Sequence, residues 1–303
     1  MKKEYKFFVF GMLLGAVIIY TALAPVEVVE PQEPETKAQS NNQKITGYSL
    51  PSKVDFAGEQ IPMERADVRE KLDREIQVNA FWHSSTILMI KRANKWLPAI
   101  DSILKKNNVP TDFKYLAVIE SGLQNVTSPK KAVGFWQFLN GTASDFGLEV
   151  NKEVDERYHQ LKATEAACLY LKEAHAKFGN WTNVAASYNM GMNGLNRSLK
   201  NQGAASYFDI SISEEPARYV FRILALKEIM ENPEDFGFYI PEKELYQQES
   251  TRILIVDKSV PDWVEFSAQN GVSYQAVKRL NPWVRSKKLT VSKGNQYNLL
   301  LPN

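Results

Sequence analysis

The sequence of 303 residues is poor in histidine and cysteine, and this scarcity excludes several kinds of active site. Its three histidines, His83, His159 and His175, are widely spaced and form no His-Glu-x-x-His pattern. Zinc sites depend on histidine and cysteine, and Ser-His-Asp triads depend on histidine, so neither is expected. The single cysteine, Cys168, lies in an apolar helical segment, where we interpret it as a core residue rather than a nucleophile. Glycine-rich phosphate loops are absent too, and the sequence predicts no metal ion and no cofactor.

An excess of charge of either sign is also missing. The chain has 37 Lys and Arg residues against 35 Asp and Glu residues, a net charge of +2. Proteins that bind nucleic acid usually carry a basic stripe, which this sequence lacks, so we expect no nucleic-acid partner. The hydrophobic content of 44% is ordinary for a globular protein, and the length suits one domain plus a smaller module.

The N-terminus combines positive charge with an apolar run. Lysines in the first six residues precede an uncharged segment from Phe7 to Ala24, and no cysteine follows that would carry a lipid anchor. Cleavage after Ala24 would put Pro25 at a protease subsite, which its fixed φ suits poorly. We therefore predict that residues 1–24 are an uncleaved signal anchor, with a cleaved signal peptide as the alternative. The lysines mark the cytoplasmic side, so the rest of the chain is expected in the periplasm or cell envelope.

The remaining chain divides into three parts. Residues 25–60 are predicted to be a disordered linker, because they begin with a stretch rich in Pro, Glu and Gln. Helical periodicity then dominates, and we assign residues 61–240 to one mainly α domain. In residues 251–303 a strand, two helical segments and a final strand predict a small β-α-α-β domain.

One carboxylate continues the apolar stripe of a predicted helix. Glu120 follows Phe113 and Leu116 at helical spacing, the other side of the helix is apolar as well, and no Lys or Arg lies one turn away. Burial would raise the pKa of this carboxyl and let it hold a proton near neutral pH, as a general acid must. The alternative is a glutamate at the helix end that turns toward solvent.

Four short motifs follow one another from this position. They are Glu120-Ser121, Gly134-Phe135-Trp136-Gln137, Ser187-Tyr188-Asn189-Met190-Gly191 and the segment from Glu215 to Val220. Their order and spacing resemble the soluble-lytic-transglycosylase family over roughly residues 61–240, and within it the membrane-bound type D branch. The chain departs from the family's motifs at Phe135, Ser187, Met190 and Pro216, which leaves most of the polar groups in place.

The resemblance implies a lysozyme-like fold and the cleavage of peptidoglycan glycan strands. Glu120 would protonate the glycosidic oxygen of the MurNAc-GlcNAc β-1,4 bond and then accept the proton of the sugar's own 6-hydroxyl, which leaves a 1,6-anhydro-MurNAc end. A hydrolytic muramidase, the first alternative, would need a second carboxylate across the bond. Acidic residues nearby in the sequence lie outside the motifs: Asp145, Glu149, Asp155 and Glu156. The second alternative is a catalytically inactive peptidoglycan-binding scaffold.

The same resemblance implies five substrate-binding residues: Ser128, Gln137, Tyr188, Asn189 and Tyr219. The amides of Gln137 and Asn189 suit sugar hydroxyls and N-acetyl groups, and both tyrosines are expected near Glu120. The structural alternatives are a turn residue for Ser128, backbone-capping amides, and core aromatics with a polar tip. Trp136 is interpreted as either a sugar-stacking platform or a core residue.

Residues 251–303 resemble a LysM-type glycan-binding module. The Gly-Asp-Thr-Leu segment usual after the first strand is replaced by Asp257-Lys258-Ser259-Val260. The resemblance implies a second contact with peptidoglycan. The alternative is a structural cap packed on the catalytic domain, which Trp263, Phe266 and Trp283 would also suit.

Overall fold

The computed structural model describes residues 46–303. The predicted signal anchor and residues 25–45 of the predicted linker lie outside this range. Within residues 46–303 no helix is both long enough and apolar enough to cross a membrane.

Helices dominate the described part of the chain. The ten α-helices of this part are α1 (Ala66–Phe81), α2 (His83–Lys106), α3 (Lys114–Ser121), α4 (Asn140–Asp145), α5 (Gln160–Phe178), α6 (Trp181–Met190), α7 (Met192–Gln202), α8 (Glu214–Glu231), α9 (Trp263–Gln269) and α10 (Tyr274–Leu280). The strands are β1 (Asp55–Phe56), β2 (Glu59–Gln60), β3 (Thr251–Val256) and β4 (Tyr297–Pro302). Strand β1 pairs antiparallel with β2, and β3 with β4. The predicted fold class, mainly α with a terminal β-α-α-β unit, is confirmed.

Helix α8 lies at the centre of the large domain. It contacts α1, α3 and α6, and residues on all its sides are buried, among them Val220, Ile223 and Leu224. Leu72 of α1 and Leu116 of α3 are fully buried. Burying a side chain of this size contributes about 1.5–3 kcal/mol, so the packing of α8 fixes the position of α3 firmly.

The predicted disordered linker ends earlier than residue 60. Val54 and Phe56 are 2% and 0% exposed, and the Phe56 ring packs edge-on against Phe113 with centroids 5.1 Å apart. The carboxylate of Glu59 accepts hydrogen bonds from the backbone N (2.9 Å) and hydroxyl (2.8 Å) of Thr182 at the start of α6. The linker prediction was therefore wrong for residues 54–60, because their apolar side chains complete the core of the large domain.

The C-terminal domain has a small core of its own between the β3–β4 sheet and helices α9 and α10. Trp263, Trp283 and Leu299 are buried in it. The buried amide of Asn281 joins α10 to β4, because its Nδ2 donates to the carbonyl of Leu300 (2.7 Å) and its Oδ1 accepts from the Leu300 N–H (2.8 Å). Satisfying both ends of a buried amide in this way avoids the penalty for an unpaired polar group.

Candidate active site

Glu120 lies in the last turn of α3. The helix ends at Ser121 because Gly122 adopts a left-handed conformation, φ 58°, that glycine reaches without strain. The carbonyl of Gly122 accepts a hydrogen bond from Arg92 Nε at 2.5 Å, which supports the helix end from α2. The carboxyl group thus projects from a helix terminus that α2 holds in place.

The nearest polar neighbour of Glu120 is a tyrosine from the central helix. Tyr219 is 2% exposed, and its hydroxyl donates a hydrogen bond to Glu120 Oε1. Burial raises the pKa of Glu120 to about 7, and the charge of Glu215 acts in the same direction. The hydrogen bond from Tyr219 and the positive charge of Arg222 oppose this rise. The balance is a carboxyl that exchanges a proton near neutral pH.

Arg222 was not anticipated from the sequence. Its guanidinium lies over the Tyr219 ring, 5.6 Å from the centroid, and pairs with Glu215 at 3.4 Å. The buried Arg222 Nε has no hydrogen-bond partner among the described residues. Helical spacing was the available signal, because positions 215, 219 and 222 lie on one side of a helix.

Asn189 joins the third motif to the fourth. Its Nδ2 donates a hydrogen bond to Glu215 Oε1 at 3.0 Å. Since Glu215 and Arg222 both act on the pKa of Glu120, Asn189 belongs to the same charge network as the acid. The Asn189 amide is therefore oriented by the Glu215 carboxylate rather than by capping a helix.

Tyr188 joins the third motif to the second. Its hydroxyl donates a hydrogen bond to the carbonyl of Trp136 at 2.7 Å. Burial raises its pKa well above the usual value, and the nearby charge of Glu120 raises it further. Both tyrosines predicted to lie near Glu120 therefore do so.

The second motif forms a loop in which Gln137 has a strained backbone and a side chain that is hydrogen-bonded to nearby carbonyls. Gln137 has a positive φ of 48°, unusual for a residue other than glycine. Its Nε2 donates to the carbonyls of Gly134 (2.7 Å) and Val126 (3.2 Å), as expected of a loop amide. Ser121 holds the loop to α3, because its hydroxyl donates to the carbonyl of Phe135 at 3.0 Å. Strain of this kind is retained where surrounding contacts hold a functional segment in place.

Two further candidates have mainly structural surroundings. The hydroxyl of Ser128 accepts a hydrogen bond from the N–H of Ala132 at 3.0 Å, which makes Ser128 part of a turn, and among the described residues no hydrogen bond joins it to Glu120. Trp136 is fully buried and donates from Nε1 to the hydroxyl of Thr164 at 2.9 Å. The stacking interpretation of Trp136 was wrong, because the ring is part of the core.

Three of the four acidic residues considered near Glu120 in the sequence are engaged elsewhere, whereas Asp145 is exposed at the end of α4. Asp155 pairs with Arg157 at 2.8 Å, Glu156 pairs with Lys162, and Glu149 accepts a hydrogen bond from Tyr297. None of these carboxylates contributes to the pKa of Glu120. Within residues 46–303 no three His, Cys, Asp or Glu side chains converge as a metal site would require.

A segment in each part of the chain matches a known family. Residues 98–210 match the family model of the transglycosylase SLT domain, and residues 252–303 match that of the soluble lytic transglycosylase C-terminal LysM-like domain. The chain thus carries both domains, which confirms the two resemblances drawn from its motifs.

Individual relatives extend the likeness beyond the two matched segments. The membrane-bound lytic murein transglycosylase D of Escherichia coli strain K12 is 26% identical over 252 residues, which cover 80% of this chain and 54% of the relative. The protein of the same name from Escherichia coli O6:H1 strain CFT073 matches to the same extent. The chain spans about half the length of the curated relatives it matches.

Proposed function

We propose that the protein is a lytic transglycosylase that cleaves the MurNAc-GlcNAc β-1,4 bond of peptidoglycan. The observation that carries this proposal is the partly buried carboxyl of Glu120, which accepts a hydrogen bond from Tyr219 and whose pKa of about 7 suits a group that donates and then regains a proton. The SLT domain match supports the same class of reaction. The name of the relatives, which refers to murein, supports peptidoglycan as the substrate.

In the proposed reaction Glu120 acts first as an acid and then as a base. Its protonated carboxyl gives a proton to the glycosidic oxygen, the bond from that oxygen to C1 of MurNAc breaks, and GlcNAc leaves with a free hydroxyl. The 6-hydroxyl of the same MurNAc attacks C1 and returns a proton to the Glu120 carboxylate. A 1,6-anhydro ring closes, no water is consumed, and the acid is restored. One carboxyl is therefore sufficient, whereas hydrolysis of the usual kind uses two.

We assign substrate binding to Ser128, Gln137, Tyr188, Asn189 and Tyr219, as the family motifs imply. Tyr219 contacts the acid itself, and Asn189 shares the charge network around it. Gln137 keeps its Oε1 free of hydrogen bonds to the described residues, so that oxygen is open to an N-acetyl N–H or a sugar hydroxyl. For Ser128 the support is the resemblance alone.

The products of digestion test this proposal. Purified peptidoglycan treated with the protein should yield muropeptides that end in 1,6-anhydro-MurNAc and weigh one water less than hydrolytic products. Reducing ends alone would establish the muramidase alternative. A folded protein that binds peptidoglycan without releasing any product would establish the scaffold alternative.

The C-terminal domain is proposed to bind glycan as well. A groove of about 440 Å³ lies beside the end of β3 and the start of α9. Exposed polar side chains of Asp257, Lys258 and Glu265 line it next to the ring of Phe266. Polar groups beside an aromatic face suit a sugar, which presents hydroxyls at its edge and C–H groups on its face. The match to a LysM-like domain supports this role.

The proposed location is the periplasm or cell envelope, with residues 1–24 as an uncleaved membrane anchor. The relatives' name supports membrane association. We propose a catalytic domain of residues 61–240, extended at its start to residue 54, and a C-terminal domain of residues 251–303. Full-length protein that resists extraction by high salt and yields to detergent is expected. A mature chain that begins at Pro25 would refute the anchor.

A further inference from the structure

Residues 149–158, here called the junction loop, are part of the large domain in sequence but complete the core of the C-terminal domain. Val154 is 1% exposed and packs in that core. The backbone N–H of Asp155 donates to the carbonyl of Trp283 at 2.8 Å, and the N–H of Arg285 donates to the carbonyl of Glu153 at 2.8 Å. The two domains therefore share backbone pairing, which a flexible tether would not provide.

Side chains reinforce this backbone pairing. The carboxylate of Glu153 accepts a hydrogen bond from the N–H of Thr290 at 2.6 Å and pairs with Lys288 at 3.3 Å. The hydroxyl of Tyr297 donates to Glu149 at 3.0 Å. Several contacts of this kind together hold the junction loop to the C-terminal domain.

The opposite side of the junction loop supports residues 122–139, here called the motif loop. Arg157 Nη1 donates to the carbonyls of Lys131 (3.2 Å) and Phe138 (3.3 Å). Arg157 is itself fixed by a two-point pair with Asp155, at 2.9 and 2.8 Å, in which both side chains are 11% exposed. A planar guanidinium held on one edge by a carboxylate has a defined direction for its remaining donors. Arg157 thus holds the motif loop at two points, Lys131 and Phe138.

Close packing of the backbone makes the support rigid. A Cβ on Gly134 would lie 2.0 Å from the carbonyl oxygen of Arg157, so only glycine fits there. Gly134 begins the motif that contains Gln137, and the carbonyl of Trp136 in the same motif accepts the hydrogen bond of Tyr188. A continuous series of contacts therefore runs from the C-terminal domain to the residues around Glu120.

We infer that the C-terminal domain positions the motif loop for catalysis and that Arg157 is the positioning residue that connects the two. This role is distinct from glycan binding, since it acts on the geometry of the site for every substrate, short or long. The expected effect on turnover rests on the proposed function, whereas the expected effect on the structure of the motif loop does not.

The test uses three variants of the full chain. Arg157→Met removes the contacts with the motif loop, Arg157→Lys keeps the charge without the two-point geometry, and Glu153→Gln weakens the junction on its far side. Glu249→Gln is the matched control, because Glu249 also binds the C-terminal domain, through Arg279 at 2.8 Å, but from a segment outside the junction loop.

Amide hydrogen exchange in residues 125–138 should be about tenfold faster in Arg157→Met and in Glu153→Gln, corresponding to the loss of one hydrogen bond. On a short soluble glycan, kcat should fall about tenfold with KM changed less than about twofold, and Arg157→Lys should recover part of the loss. Glu249→Gln should match the wild type in both measurements.

Unchanged exchange in residues 125–138 in both Arg157→Met and Glu153→Gln would overturn the inference. A lower melting temperature with unchanged kcat would also overturn it, because the contacts would then be structural only. Should Arg157→Met fail to fold, Glu153→Gln decides alone. If the wild-type protein lacks activity, the proposed function fails, and hydrogen exchange still decides the positioning role.

Discussion

The hydroxyl of Tyr219 donates a hydrogen bond to the carboxyl of Glu120 across the contact between α8 and α3, although the two residues are 99 positions apart. Two effects act on the pKa of Glu120 in opposite directions. Burial favours the neutral carboxyl, while the hydrogen bond from Tyr219 favours the carboxylate. The resulting pKa of about 7 lies where a group is most effective both as a donor and as an acceptor of protons at neutral pH.

Replacing the acid should abolish activity and preserve the fold. Glu120→Gln has nearly the same shape, and its side-chain oxygen still accepts the Tyr219 hydrogen bond, but it cannot transfer a proton. We expect release of muropeptides to fall by about 10²–10⁴-fold, the usual contribution of general acid–base catalysis. Near-normal turnover by correctly folded Glu120→Gln would exclude the mechanism.

A second glutamate provides the matched control for this experiment. Glu231 also accepts a hydrogen bond from a buried tyrosine, Tyr115, at 3.1 Å, but at the opposite end of α3. Glu231→Gln should therefore keep its activity within about twofold of the wild type. An equal loss in both variants would indicate general damage to the domain rather than removal of the acid.

Glu120→Gln should also stabilise the protein as the pH rises from 4.5 to about 7. In the unfolded chain Glu120 has the ordinary value of 4.5, against about 7 in the folded protein. Between these values the unfolded state releases the proton while the folded state retains it, so stability falls as the pH rises through this window. The difference amounts to about 3 kcal/mol. Urea unfolding should show Glu120→Gln gaining this much over the wild type between pH 4 and pH 8, and parallel pH dependences would contradict it.

Tyr219→Phe should move the alkaline limit of activity upward. Without the phenolic hydrogen bond the carboxylate loses a stabilising donor, so the pKa of Glu120 rises by about one unit. The acid then stays protonated to higher pH. The pH profile of kcat/KM on a soluble glycan measures this shift, and a downward or absent shift would contradict the assigned role of the hydrogen bond.

Removing either partner of the ion pair between Arg222 and Glu215 should shift the alkaline limit of activity, and the two shifts should be opposite. Arg222→Gln removes a positive charge that favours the carboxylate, so the alkaline limit should rise by about half a unit. Glu215→Gln removes a negative charge and frees Arg222 to act on Glu120, so the limit should fall by a similar amount. Shifts in the same direction for both variants would show that local rearrangement, rather than charge, governs the pKa of Glu120.

The acid and the fold class could be predicted because their signals are local. A carboxylate on an apolar helix and a strand-helix-helix-strand order are both readable within short segments. The influence of Arg222 on Glu120 depends on how α8 packs against α3, which no short segment contains. The core position of Trp136 depends likewise on Thr164, a partner from α5.

Burial of the segment before residue 61 illustrates the same limit. The composition of residues 25–45 favours disorder, and nothing in the local pattern marks where that tendency stops. Phe56 is ordered because it packs against Phe113, and Glu59 is ordered because it binds the start of α6. A tertiary contact of this kind outweighs local composition.

The last prediction concerns glycan binding by the C-terminal domain. Deleting residues 251–303 would expose Val154 and remove the partners of the junction loop, so a truncation would mix binding with folding and positioning. Point variants in the groove avoid this problem. Lys258→Ala and Glu265→Ala change exposed side chains that line it, whereas Lys293→Ala changes an exposed lysine of the same domain outside it.

If the groove binds glycan, each groove variant should weaken binding to insoluble peptidoglycan about fivefold, the effect of one lost hydrogen bond. Turnover of short soluble glycans should stay within about twofold of the wild type, because a second binding site raises the local concentration of a long substrate without contacting the reacting bond. Lys293→Ala should bind normally. Sedimentation of each variant with peptidoglycan sacculi measures the binding. Groove variants that bind as tightly as Lys293→Ala would exclude the groove as a glycan site and would leave support of the motif loop as the function of this domain.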